Sequence, residues 1–273
     1  MTTARTLHIE GPALWSPLLP GWEAARAAFT GQGAPADPPA KRPAPQLLAP
    51  AERRRAPDTV ALALEVASAA VAAAGRDAKD LPCVFISAHG DLGINDYMCS
   101  TLAKEPTMLS PIKFHNSVHN AAVGYWTIGT GCMQASNSVS GFERSFAAGL
   151  LEAAVQCSAD DQAVLLVGYD MPAVGALASV TTSVGLLAVA MVLAPARTER
   201  TVASFDWSLV EGATAETATQ SSAAALLRGN PMEQALPLFE RLAAGSEPGS
   251  ASSPIHLSLS PTLSLRLQPS SKD

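Results

Sequence analysis

The chain has 273 residues, enough for one large domain or two modest ones. Hydrophobic residues make up 48% and charged residues 15%, so a sizeable core can form; aromatics at 5% and abundant alanine point to close packing by small side chains. A net charge of −6 argues against a nucleic-acid partner, which needs a clustered basic face, and the basic run Arg53-Arg54-Arg55 reads as a solvated corner before a helix.

The longest apolar run, Gly185 to Ala194, is too short to span a bilayer and reads as a buried strand. The opening MTTARTLHIE has no apolar segment of the kind an export signal carries. Cys83, Cys99, Cys132 and Cys157 show no CxxC spacing, so neither a zinc site nor a disulfide framework is indicated. A reduced, cytoplasmic setting is expected, with no cofactor and no metal.

In chain order, residues 6–10 predict a first strand and Trp22 to Phe29 a short helix. Residues 31–50 carry six prolines and predict an exposed loop. Asp58 is placed as the N-cap of an alanine-rich helix that Gly75 closes. LPCVFISA (81–88) predicts a strand buried on both faces, followed by a glycine turn and a helix from Ile94 to Ala103. Another helix is expected over Ser117 to Gly124, and a short β-prone segment at 137–140. Phe142 to Cys157 reads as a helix whose apolar stripe is Phe142, Phe146, Leu150, Ala153 and Cys157. Strands follow at QAVLLVGYD, 185–194 and 201–210. A helix (Met232–Ala243), a loop (245–254) and one alternating strand, IHLSLSPTLSLRL, end the chain. Helices alternating with buried strands mean α/β.

Two groups of residues invite a chemical reading. Cys132, in GTGCMQAS, could be a nucleophile, but cysteine more often serves as a small buried hydrophobe. His115 and His119 have the i, i+4 spacing of two metal ligands; a metalloprotease helix would also need glutamate where Asn116 stands, and no third ligand is suggested. Hydrogen bonding near a turn or an interface is the expected role of these histidines.

Residues 110–170, from SPIKFHNSVHNAAVGYWTIGTGCMQASNSVSGFERSFAAG to LLVGYD, resemble the N-terminal half of the β-ketoacyl synthases, in the thiolase-like superfamily. The likeness is greatest to the short synthase-like proteins called chain-length-factor homologues of aryl-polyene and related fatty-acid-like pathways. It covers about residues 5–195, taken as a ketosynthase-like domain; residues 196–273 are a C-terminal segment that it does not reach, placed as an extension of the same sheet. The implied fold is α/β and thiolase-like, roughly one half of the duplicated ketosynthase architecture, with a mixed sheet between helix layers.

SNSVSGFERSFAAG looks like the family's nucleophile elbow, where an active synthase carries cysteine at a helix N-terminus. That placement lowers a thiol pKa and offers N–H groups to a developing oxyanion. Counting without gaps puts the elbow at Glu143, within a residue, and Phe142, Glu143 and Arg144 include no thiol. The family's two catalytic histidines come from its C-terminal half, whereas the one histidine here after position 119 is His256, in no matching motif. The resemblance therefore implies no catalytic residue, and Glu143 is read as a helix-terminus carboxylate. It further implies a heterodimer with a full-length ketosynthase, contact with acyl carrier protein through that complex, and a two-fold interface at Ser136, Asn137, Ser138, Val139 and Ser140. Proline at Val139 is expected to weaken this interface. Ile94, Tyr97, Met98 and Phe114 are the expected tunnel-gating residues. The alternatives are a standalone acyltransferase or decarboxylase using Cys132 or Glu143, and a purely structural scaffold subunit.

Overall fold

The computed structural model describes residues 5–245 and 253–270. Its strands are β1 (Arg5–Trp15), β2 (Cys83–Ile86), β3 (Ser136–Val139), β4 (Val164–Asp170), β5 (Leu187–Ala194), β6 (Thr201–Glu211), β7 (Ile255–Ser260) and β8 (Leu263–Pro269). They form one sheet in the order β3-β2-β4-β5-β1-β6-β8-β7. β2 runs parallel to both β3 and β4, and every other neighbour is antiparallel. The helices are α1 (Trp22–Phe29), α2 (Pro50–Arg55), α3 (Asp58–Ala74), α4 (Leu92–Lys104), α5 (Pro111–His115), α6 (Ala121–Thr130), α7 (Ser145–Asp160), α8 (Ser222–Ala225) and α9 (Leu236–Ala244). Among the described residues no helix is long and apolar enough to cross a membrane.

Strand β5 explains the layering. Its even residues, Ala188, Ala190, Val192 and Ala194, are small and pack with the alanines of α3. Its odd residues, Leu187, Val189, Met191 and Leu193, are larger and meet α7 and the 231–235 segment on the other face. Period-two alternation thus sorts volume between a tightly packed layer and a bulkier one. Gly11 carries the tight layer into β1. A register shift lies between Glu10 and Ala13, so Leu7 and Ile9 face the α7 side while Ala13 and Trp15 face α3. Gly11 has φ 53°, and a Cβ there would lie 2.2 Å from the Ala70 carbonyl oxygen of α3. Nearby, buried Glu10 pairs with Arg76 at 2.6 Å, tying β1 to the end of α3.

Several boundaries differ from the sequence reading. Asp58 is the first helical residue of α3 rather than its N-cap; its carboxylate makes no capping bond and instead pairs with Arg42 at 3.0 Å. Arg53–Arg55 precede α3 as expected, though they form the last turn of a short helix of their own, α2, and the Arg53 guanidinium donates to the Leu48 carbonyl. The helix expected over 117–124 begins at Ala121 and runs to Thr130, where Gly131 closes it at φ 70°. The expected helix from 142 opens as a 3-10 turn, Phe142–Arg144, so Phe142 leaves the apolar stripe and is exposed. The segment at Met232 likewise starts as a 3-10 turn over Pro231–Ala235 before α9. The C-terminal alternating run is not one strand but the hairpin β7–β8, because Pro261-Thr262 breaks it. Most of the expected 245–254 loop falls outside the described residues.

The carboxyl ends of β2 and β4 are joined by one buried acid. Asp170 accepts from Ser87 Oγ at 2.8 Å and from the Ala88 backbone N–H at 3.0 Å. Ser87 Oγ also accepts from Gly90 N–H at 2.8 Å, so the carboxylate shapes the whole turn after β2.

Two outcomes follow from this packing. Gly11→Ala is expected to cost on the order of 3 kcal/mol, from a left-handed alanine and a clash with helix backbone, read as a lower urea midpoint at unchanged slope. Burial pushes the Asp170 carboxyl up from 3.8 to about 7, with the bonds from Ala88 and Ser87 opposing. Between those values the unfolded chain loses this proton while the folded chain holds it, so stability falls as pH rises, by up to ~4 kcal/mol. Asp170→Asn should remove that slope and be at least as stable as the parent at pH ~8, measured by urea unfolding across the window.

Candidate functional site

The three parallel strands β3, β2 and β4 open their carboxyl ends at the same edge of the sheet, the position at which α/β proteins place ligand-facing groups. Here the turn after β2 presents Ser87, Ala88 and His89, β4 ends on Asp170, and the turn after β3 presents Ser140 to Arg144. Ser140 Oγ donates to the Ala88 carbonyl at 2.9 Å, linking the two turns. The loop after β4 closes the third side. Asn230 donates to the Val184 and Gly185 carbonyls at 3.2 and 3.1 Å, which pins that loop. His89 Nε2 lies 3.0 Å from Thr181 Oγ1 on it. Burial holds the His89 imidazole below its ordinary pKa, which favours the neutral ring at neutral pH.

The strand–turn–helix after β3 is sharp. Phe142 adopts φ 52°, a conformation that a bulky side chain seldom takes. Ser145 holds it there: its Oγ donates to the Phe142 carbonyl at 2.6 Å and accepts from Gly141 N–H at 2.9 Å. The Phe142 ring is 71% exposed and meets His89 edge-to-face at 5.9 Å. At the start of α7 the Ala147 N–H donates to Gln234 Oε1 at 2.9 Å. Gln234 is fixed in turn by the Ser258 carbonyl at 3.0 Å and by the Glu216 carboxylate. A donor that a helix N-terminus could offer to a ligand is therefore satisfied from within the chain. Glu143 is exposed and Arg144 reaches Ser258 Oγ at 3.3 Å; both line an open polar cleft of about 510 Å³ with Thr214, Glu216 and Ser260.

The thiols sit elsewhere. Cys132 is buried just past the end of α6, with its Sγ 3.5 Å from the Leu81 carbonyl. Burial pushes the thiols of Cys83 and Cys157 up to about 12, which keeps them protonated. Cys99 is exposed on α4. His115 and His119 do different things: His119 Nε2 lies 2.8 Å from the Ser87 carbonyl, while His115 meets Tyr125 edge-to-face at 6.2 Å. His256 sits on β7 opposite Arg266, and its backbone N–H donates to Thr217 Oγ1 at 2.9 Å.

The residues expected to gate a tunnel are divided. Ile94 is buried in the first turn of α4, and Met98 is half-buried further along it. The Tyr97 hydroxyl joins the Met108 carbonyl and the Ser110 N–H, and the Lys113 ammonium lies 3.9 Å over its ring. Phe114, on α5, is exposed and lines a separate apolar groove of about 610 Å³ with Leu47, Val118, Tyr125 and Ile128.

The two edges of the sheet contrast. At β7, the 216–217 segment covers the outer face: Thr217 N–H donates to the His256 carbonyl, and Glu216 accepts from Ser258 N–H at 2.9 Å. At β3, the other terminal strand, no segment among the described residues pairs with the outer face. Cys83 N–H donates to the Ala135 carbonyl and Ser87 N–H to the Val139 carbonyl. Strand alternation therefore turns the Ser136 and Ser138 amides outward and keeps Val139 on the β2 side, so proline at Val139 would disturb the internal ladder rather than the free edge.

Sequence reasoning singled out the elbow but missed the groups around it, namely Ser87, His89, Asp170, Thr181, Asn230 and Gln234. One signal was present: an aspartate closing the otherwise apolar run VLLVGYD demands partners if its strand is buried.

Comparison with known proteins adds the family. No curated protein sequence matches the chain. Among solved structures, a ketosynthase in complex with its chain length factor from Xenorhabdus doucetiae is similar, with TM-score 0.72 and 22% identity over 96% of this chain and 99% of the other. The ishigamide ketosynthase/chain length factor gives TM-score 0.66 and 14% identity over 97% and 99%. A type II polyketide acyl-carrier protein in complex with its ketosynthase bound to the hexaketide gives 0.72 and 10% over 97% and 99%. At these identities the likeness establishes a shared thiolase-like fold. A family model described as the β-ketoacyl synthase N-terminal domain matches residues 22–255, and the chain belongs to that family.

Proposed function

We propose that the chain is a non-condensing, chain-length-factor-like subunit that pairs with a full-length ketosynthase and shapes its acyl pocket, meeting acyl carrier protein through the complex. The observation that carries this reading is the elbow. The left-handed turn where a nucleophile would stand holds Phe142, and Glu143 and Arg144 follow it. The neighbouring Ala147 N–H, which could face an oxyanion, is bonded to Gln234. Neither His89 nor His119 faces a thiol: the first is bonded to Thr181 and the second to the Ser87 carbonyl. A chain built this way contributes walls to a reaction centre and leaves the thioester chemistry to a partner. Matches over nearly the full length of chains from ketosynthase–chain length factor complexes support the same reading.

The free edge of β3 is the place for the partner. An open strand edge with outward amides at Ser136 and Ser138 is a template for pairing, and the protected β7 edge is not. Aryl-polyene or fatty-acid-like pathways are the proposed setting and the cytoplasm the proposed compartment.

Ser138→Pro removes an outward N–H and should lower co-purification with a full-length synthase from the same gene neighbourhood by at least about tenfold, one lost edge bond plus the backbone penalty. Ser138→Ala should keep partner binding. Equal recovery of the synthase with the parent and Ser138→Pro would remove β3 from the interface.

A further inference from the structure

We propose that α6 and the proline-rich segment 31–50 enclose a ligand site for an elongated, uncharged apolar molecule carrying one acceptor oxygen, with Leu47 as its movable partition. The site shares no lining residue with the elbow turn and does not depend on the pairing proposed above.

Two cavities of about 610 Å³ each flank Leu47, the one residue that lines both. The first is the apolar groove, with Leu48, Val118, Tyr125 and Ile128 on its walls; the second runs between α3 and α6 over Val71 and Trp126. Such volumes suit a small organic molecule. Leu47 sits on a turn in which Leu48 N–H donates to the Pro45 carbonyl at 3.3 Å. Its side chain rests over Gly129, where a Cβ would lie 2.9 Å from Leu47 Cγ. Arg53 fixes the turn by donating to the Leu48 carbonyl at 2.9 Å, so a rotamer change of one leucine is what would join the two cavities.

Two features of α6 are not explained by the chain's own packing. Gly124 stands in mid-helix, where glycine is less favourable than alanine, yet a Cβ there would meet nothing within 4 Å. It lines the first cavity, so the missing side chain leaves open space and makes no room for a neighbouring element. Trp126 is 1% exposed and lines the second cavity, and its indole N–H makes no hydrogen bond among the described residues. A buried donor left unpaired is costly, and an acceptor oxygen on a ligand would satisfy it. Among the lining residues the charged ones are Glu52, Asp77 and Arg76, and Arg76 is already paired with Glu10. An anionic head would find no counter-charge there, which selects an uncharged ligand.

The test follows the indole N–H resonances of the isotope-labelled chain by NMR while decanol, a linear alcohol whose oxygen can accept, is titrated in. The Trp126 signal, identified by its loss in Trp126→Phe, should shift with a Kd of about 100 μM or tighter. Gly124→Leu fills the open space and should weaken binding at least about tenfold, the loss of roughly two buried methylenes, with a melting temperature unchanged or higher. Ile128→Asp sets a charge on the cavity wall at an exposed position and should weaken binding to the same degree. Leu47→Ala opens the partition and should tighten it. A Trp126 signal that stays in place up to the solubility limit of decanol, or parental affinity in both Gly124→Leu and Ile128→Asp, would overturn the proposal. Binding that disappears when a full-length synthase is present would assign the groove to the partner and overturn it equally.

Discussion

The candidate site depends on one buried carboxyl. Asp170 ends the central strand β4 and takes hydrogen bonds from Ser87 and Ala88 at the end of β2, so two neighbouring strands finish in register. The turn that it fixes supplies the Ala88 carbonyl to Ser140, the Ser87 carbonyl to His119, and the position of His89 beside Phe142. Without that clamp the turn after β2 would be tied to the turn after β3 only by the Ser140–Ala88 bond and the end of the β2–β3 ladder. Burial makes the clamp costly when ionised, and the raised pKa of Asp170 is the measure of that cost.

Small side chains complete the arrangement. Ala188, Ala190 and Ala194 against the alanines of α3 bring that helix close to the sheet, and Gly11 admits the backbone of α3 where any side chain would collide. On the opposite face α7 makes a similar approach at Gly149, where a Cβ would lie 2.4 Å from Ile86. The helix that begins at the elbow is thereby seated on β2, the strand whose end the Asp170 clamp holds. Elbow and clamp are thus parts of one packed unit, which is how the turn at Phe142 can be held against its local preference.

Much of this was legible in the sequence, for stated reasons. The buried strands announced themselves as continuous apolar runs, Cys83–Ile86 and Val164–Asp170 among them, because a sheet covered on both faces demands nothing else. The resemblance over residues 110–170 pointed to a strand–turn–helix at Ser136 to Asp160, and the structure has β3, a sharp turn and α7 there. Helix starts were less legible: Phe142 and Met232 fit an α-helical stripe, yet both lie in 3-10 turns, the first held by Ser145 and the second by Asn230, which accepts from Met232 N–H. The division of the gating set was illegible for a related reason. Ile94 and Phe114 share an apolar character, but which surface each one faces depends on how α4 and α5 fold against the sheet. The hairpin at 255–269 shows the opposite case, since Pro261-Thr262 was a turn signal in plain view within an otherwise alternating run.

We propose that this member of the β-ketoacyl synthase family performs no condensation itself. Incubating the purified chain with acyl- and malonyl-carrier protein, with and without a full-length synthase, and following β-ketoacyl product by mass spectrometry tests it most directly. No product is expected from the chain alone and product when the synthase is present; sustained turnover by the isolated chain would overturn the proposal.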